Sequence, residues 1–89
     1  MPEMKEFILK VGESAKIKTK FMGDSRIVYA GMPNKDTYSI VVTHTSGNNS
    51  SAYNLYFPIT QRSIEIEKKN FDIYEVMSDR IRLNMITKT

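Results

Sequence analysis

Thr37-Tyr38-Ser39-Ile40-Val41-Val42-Thr43-His44-Thr45 and Ala52-Tyr53-Asn54-Leu55-Tyr56-Phe57-Pro58-Ile59 flank the polar run Ser46-Gly47-Asn48-Asn49-Ser50-Ser51. In the first stretch Tyr38, Ile40, Val42 and His44 share one parity; in the second Tyr53, Leu55, Phe57 and Ile59 do. Period-two alternation rich in β-branched and aromatic residues is the pattern of a pleated, half-buried strand. Closing a hairpin over Ser46–Ser51 sets Thr45 opposite Ala52. Tyr38 then faces Ile59, Ile40 faces Phe57, Val42 faces Leu55 and His44 faces Tyr53. All four pairs agree in one register, and a slip of one residue would send every side chain to the wrong face. A helix over residues 37–60 would overturn this reading entirely.

The same period runs outward in both directions. Ala15, Ile17, Thr19 and Phe21 alternate with Lys16, Lys18 and Lys20; Ile64 and Ile66 with Glu65 and Glu67; Ile81, Leu83 and Met85 with Arg80, Arg82 and Asn84. Turn chemistry separates these runs at Gly12-Glu13-Ser14, Gly23-Asp24-Ser25, Pro33-Asn34-Lys35-Asp36, Lys68-Lys69-Asn70 and Ser78-Asp79. A Ser78-Asp79 turn predicts Val76 opposite Ile81, Tyr74 opposite Leu83, and Glu75 opposite Arg82 as a cross-strand ion pair. Phe71 and Ile73 share a parity that Tyr74 and Val76 break, which predicts a β-bulge or sharp bend near Ile73-Tyr74. At the N-terminus Met4, Phe7, Ile8 and Val11 also fit a helical stripe, but Phe7-Ile8-Leu9-Lys10-Val11 reads better as a strand, because a lone short helix is marginal.

The expected fold is all-β: residues 1–89 as one small antiparallel β-barrel or β-sandwich of about six to eight short strands. Its expected core is Phe7, Leu9, Ile17, Phe21, Val28, Ile40, Val42, Leu55, Phe57, Ile64, Ile66, Ile73, Val76, Ile81 and Leu83. The string Leu9-Lys10-Val11-Gly12-Glu13-Ser14-Ala15-Lys16-Ile17 resembles the first turn of immunoglobulin-like sandwiches, although the Cys and Trp core markers of that class are missing. That resemblance adds weight to a sandwich and implies nothing about function.

The chain has 89 residues, with 13 Lys+Arg against 10 Asp+Glu, a net charge of +3 and neither Cys nor Trp. Lack of Cys excludes disulfides, zinc ribbons and thiol chemistry. The opening Met1-Pro2-Glu3-Met4-Lys5-Glu6 carries acids rather than an apolar run, so no secretory signal is read; no apolar stretch approaches the ~18 residues of a membrane span. A cytoplasmic location without membrane association is expected, and the Asn-x-Ser patterns at Asn48-Asn49-Ser50-Ser51 are taken as a polar loop. The sequence pI is about 9.2, yet residues 1–45 hold seven basic against five acidic residues and residues 46–89 six against five. No half is polarised, so charge gives only a weak pointer to an anionic partner.

Catalytic and metal-binding constellations are sparse. His44 is the only histidine, and its place at the end of an apolar stripe suits a packed, hydrogen-bonded rim residue. Glu65 and Glu67 alternate outward and lack partners at ligand spacing. The four glycines stand singly in turns, so there is no phosphate-cradling loop, and eight scattered serines with one histidine specify no relay. No enzyme activity, cofactor or metal is expected. The six methionines are dispersed and read as gap fillers.

Two surface features remain. Lys16, Lys18 and Lys20 at period two would stand ~6.5–7 Å apart on one strand face, close to the phosphate spacing of a nucleic-acid strand. With Arg80, Arg82 and an outward Tyr56 able to stack a base, they form a candidate nucleic-acid set. The simpler reading is that such lysines keep an edge strand from pairing with neighbours. The second feature is Tyr53-Asn54-Leu55-Tyr56-Phe57-Pro58: Pro58 lacks an N–H and suits an edge strand or strand end, and exposed Tyr56 and Val41 there would suit a second subunit or partner. The leading expectation is therefore a non-catalytic interaction or assembly module whose partner is another protein or a second copy of itself. Small domains often supplement a small core in that way. Nucleic-acid binding by a basic small barrel is the alternative.

Overall fold

The computed structural model describes residues 3–20 and 23–87. Eight strands follow one another: β1 (Glu3–Lys10), β2 (Ser14–Lys20), β3 (Gly23–Asn34), β4 (Thr37–Ser46), β5 (Asn49–Pro58), β6 (Ser63–Ile66), β7 (Lys69–Val76) and β8 (Arg80–Thr87). They form two antiparallel four-stranded sheets, ordered β1-β8-β7-β6 and β2-β3-β4-β5. The architecture is a sandwich and not a closed barrel; the N-terminal segment is a strand, as expected. Among the described residues no helix is long and apolar enough to cross a membrane.

Neighbours in sequence are neighbours in space all round the molecule except at two corners, where the chain changes sheet instead of pairing. The first corner is abrupt. Val11 N–H donates to the Asp79 carbonyl beside β8, while Gly12 N–H donates to the Tyr29 carbonyl in β3. Gly12 has φ +91, a conformation that only glycine adopts without strain, so its lack of a Cβ permits the switch. The second corner spans residues 59–62: Ile59 N–H still donates to Asp36 of the second sheet, and Arg62 already accepts from Ile73 N–H of the first.

Between the sheets lie Leu9, Ile64, Ile66, Phe71, Ile73, Ile81, Leu83 and Met85 from one side and Ile17, Ile27, Tyr29, Tyr38, Ile40 and Val42 from the other. Phe7, Leu55, Phe57 and Val76, expected in the core, pack against it half-buried. Phe21 lies outside the described residues. Val28 is a correction: Ile27 and Tyr29 are fully buried and Val28 faces the other way. Three consecutive apolar residues leave the phase of β3 ambiguous, and exposed Arg26 settles it, because residues 26 and 28 share a parity. Tyr29, Tyr38, Phe71 and Met85 also belong to the core. The two tyrosines satisfy their buried hydroxyls across the sandwich: Tyr29 donates to the Met77 carbonyl (2.7 Å) and Tyr38 to the Gln61 carbonyl (2.6 Å).

The β4–β5 hairpin forms with the expected faces but not the expected partners. Its turn is only Gly47-Asn48, so Thr45 pairs with Ser50, Tyr38 with Phe57, Ile40 with Leu55, Val42 with Tyr53 and His44 with Ser51. The register is shifted by two from that read off the sequence, which preserves the inward side chains. Gly47 at φ +60 occupies the first turn position, where a tight type II′ turn calls for glycine. The β6–β7 turn is likewise tighter than expected. It is made by Glu67 and Lys68, both at positive φ (52 and 65), while Lys69 and Asn70 already belong to β7.

In the last hairpin Val76 pairs with Ile81 and Glu75 with Arg82, as expected, but Leu83 pairs with Ile73. The register shifts between Ile73 and Glu75, so the bulge anticipated there is real and Tyr74 has no opposite residue. Glu75 does not hold Arg82 in an ion pair. The guanidinium turns to Glu6 on its other neighbour strand (2.8 Å), and Tyr74, freed by the bulge, lies under it at 5.8 Å.

Candidate docking edge

Among the described residues four strand edges are open, two per sheet: β1 and β6, β2 and β5. Three carry charge along their length: Lys5, Glu6 and Lys10 on β1, Glu65 on β6, and Lys16, Lys18 and Lys20 on β2. Charged side chains on an edge oppose pairing with another chain. β5 carries none. The 25 residues from Thr37 to Gln61 contain no Asp, Glu, Lys or Arg, so the whole β4–β5 hairpin is free of formal charge apart from the titratable His44.

The backbone of β5 is also available. Ile59 N–H donates to Asp36, which fixes the phase of the ladder; alternation then places residues 57, 55, 53, 51 and 49 in hydrogen-bonded pairs with β4. The N–H and C=O groups of Ser50, Ala52, Asn54 and Tyr56 point away from β4, along the free edge. Pro58 falls in this outward phase, so its missing N–H removes no bond of the fold. Among the described residues β5 pairs with β4 alone, and the strand beyond the corner, β6, has only four residues against ten in β5. Tyr56 is 59% exposed on the outer face and Tyr53 43% on the inner one. Asn54 Nδ2 lies 3.3 Å from the Tyr56 hydroxyl, holding the two outer-face side chains side by side. Tyr53 titrates above its ordinary value, first from burial and then from the nearby Glu67 carboxylate.

The candidate nucleic-acid residues are distributed differently. β2 and β5 are opposite edges of one sheet, so Lys16 and Tyr56 stand roughly 14 Å or more apart across two intervening strands. Arg80 and Arg82 lie on β8 in the other sheet. The lysine comb does not hold one register: a bulge between Lys16 and Lys18 pairs Lys16 with exposed Arg26 but Lys18 with buried Ser25 and Lys20 with Gly23. The side chains of Lys18 and Lys20 lie outside the described residues. Lys16 meets Asp24 at 3.6 Å, and Arg82 is held above its ordinary pKa chiefly by its hydrogen bond to Glu6.

His44 sits in a cluster of polar side chains that crosses the sandwich. Ser25 of β3, 1% exposed, donates its hydroxyl to Glu67 Oε1 (3.3 Å), and its oxygen lies 3.0 Å from His44 Nδ1. Glu67 Oε1 is 4.0 Å from the same nitrogen. In a nucleophilic relay the serine and the carboxylate engage opposite ring nitrogens. Here both meet Nδ1 and the serine is buried, so the cluster ties the β6–β7 turn to the facing sheet. The two-residue turn itself calls for positive φ at Glu67 and Lys68, and this contact anchors Glu67 there. The cluster was not legible in the sequence, because its three members are far apart in the chain and meet only where the β6–β7 turn faces the other sheet. Among the described residues no group of His, Asp and Glu is arranged to hold a metal ion.

Comparison with protein-family models, with curated proteins and with solved structures gives no match, so these residues carry the functional reading themselves.

Proposed function

We propose that this domain is a non-catalytic interaction module that accepts a further extended strand along β5. The observation that carries the reading is the contrast among its edges: three are charged, while β5 is long, uncharged and has a free outward row of backbone donors and acceptors. Strand addition draws affinity from main-chain hydrogen bonds and specificity from alternate side chains, here Tyr53 and Leu55 inward and Tyr56 outward.

A displayed library of random peptides panned against the protein at high dilution tests this. Selected peptides should slow amide exchange at Ser50, Ala52, Asn54 and Tyr56 and should fail to bind Asn54→Pro. The reading falls if no peptide is selected or if selected peptides bind Asn54→Pro equally well. It falls also if the only ligands found are nucleic acids whose binding weakens with salt and with Arg80→Ala or Lys16→Ala.

A further inference from the structure

We infer that the strand added to β5 is β5 of a second copy, antiparallel to the first about a two-fold axis at Asn54. This rests on the docking reading above and names its partner. A like pair of chains, each with net charge +3, meets least repulsion where neither carries formal charge, and the β4–β5 hairpin is the long uncharged segment of the sequence.

The strand also complements itself. With the axis at Asn54, the outward-phase residues face one another: Asn54 exchanges backbone bonds with Asn54 of the second copy, and Ala52 with Tyr56. Pro58 falls at the end of the ladder, opposite Ser50, where its carbonyl still accepts. Side chains match by size under the same axis. Tyr56, the most exposed ring of the hairpin, lies against Ala52 on the outer face; Tyr53 lies against Leu55 and Phe57 against Ser51 on the inner face. An axis at Tyr56 would set the two Tyr56 rings against each other, and one at Ala52 would leave Tyr56 beside the turn residue Asn48. The product is one continuous eight-stranded sheet from two copies of β2-β3-β4-β5, an isologous arrangement that covers the β5 edge of both copies and closes.

Sedimentation equilibrium over a dilution series of wild type and Asn54→Pro tests the inference. The Asn54 N–H is outside the β4 ladder, so the proline should keep the far-ultraviolet circular dichroism and melting midpoint of the monomer. It removes both central donors of the paired strands, and association should weaken roughly tenfold or more. The chain has no cysteine, so a single Asn54→Cys reports directly. Hydrogen-bonded antiparallel partners stand ~5.5 Å apart at Cα, within disulfide reach, and oxidation should yield a covalent dimer, whereas Ser63→Cys on edge β6 should not. A wild type that stays monomeric at every concentration overturns the inference, as does an Asn54→Pro variant that dimerises like wild type or an Asn54→Cys that cross-links no better than Ser63→Cys. A monomer that still binds selected peptides through β5 sinks the second copy alone; a monomer that selects none sinks the docking reading with it.

Discussion

Tyr38 shows how one buried side chain ties stability to solution conditions. Its ring is fully buried and packs against Phe57 at 5.4 Å, and its hydroxyl donates to Gln61. Burial pushes its pKa up to about 12 from an ordinary 10, with Arg62 pulling the other way. Between those values the unfolded tyrosine has lost its proton and the folded one keeps it, so the native state binds more protons and stability falls as pH rises. The contribution is complete below pH ~10 and is lost as pH climbs through ~12, on the order of 2 kcal/mol. Tyr29, also raised by burial and by Asp79, acts in the same direction. Urea midpoints measured from neutral to strongly alkaline pH should therefore decline less steeply for Tyr38→Phe than for wild type. At neutral pH that variant should be weaker by about 0.5–1.5 kcal/mol, the worth of the lost hydrogen bond.

At the scale of elements, the turns and corners decide the shape. Gly12 carries the chain from one sheet to the other at φ +91, and a Cβ placed there meets nothing within 4 Å. The cost of Gly12→Ala is therefore backbone strain alone, about 1–2 kcal/mol, with no overpacking added. Chemical denaturation should show the midpoint lowered and the denaturant slope unchanged. A larger loss would mean that the corner contributes packing the geometry does not show. The β6–β7 turn is the opposite case. Glu67 and Lys68 lack glycine's freedom yet hold positive φ, and the hydrogen bond from Ser25 to Glu67 anchors that conformation from the facing sheet.

At the scale of the whole molecule, the two sheets share one core and neither has another. The structure is thin, 38 × 34 × 17 Å, so each sheet buries one face only. Phe71 is fully buried in that shared layer. Phe71→Ala removes a fully buried ring from that layer, a loss of about 3–5 kcal/mol, comparable with the ~5 kcal/mol total expected of a small domain. Calorimetry should find both sheets lost together in that variant. Survival of either sheet alone, seen as partial exchange protection, would contradict a single shared core.

The alternation of residues 37–59 determined that these segments are strands, that they form a hairpin, and which side chains face inward, because side-chain direction in a strand is a local property of period two. The phase break at Tyr74 was legible for the same reason, and Pro58 marked the free edge through its missing N–H. Partner identity was not legible. A shift of two residues keeps every face, so the pattern is blind to it, and the two-residue Gly47-Asn48 turn chose the register. The placement of Ile27 rather than Val28 in the core, the turn of Arg82 toward Glu6, and the Ser25–His44–Glu67 contact arise between segments distant in sequence. So does the choice of sandwich over closed barrel, made where Gly12 and residues 59–62 carry the chain across instead of letting neighbouring strands pair. The charge-free β5 was present in the sequence from the outset; only the tertiary structure showed it to be an open edge, since an edge is defined by the strand that is not beside it.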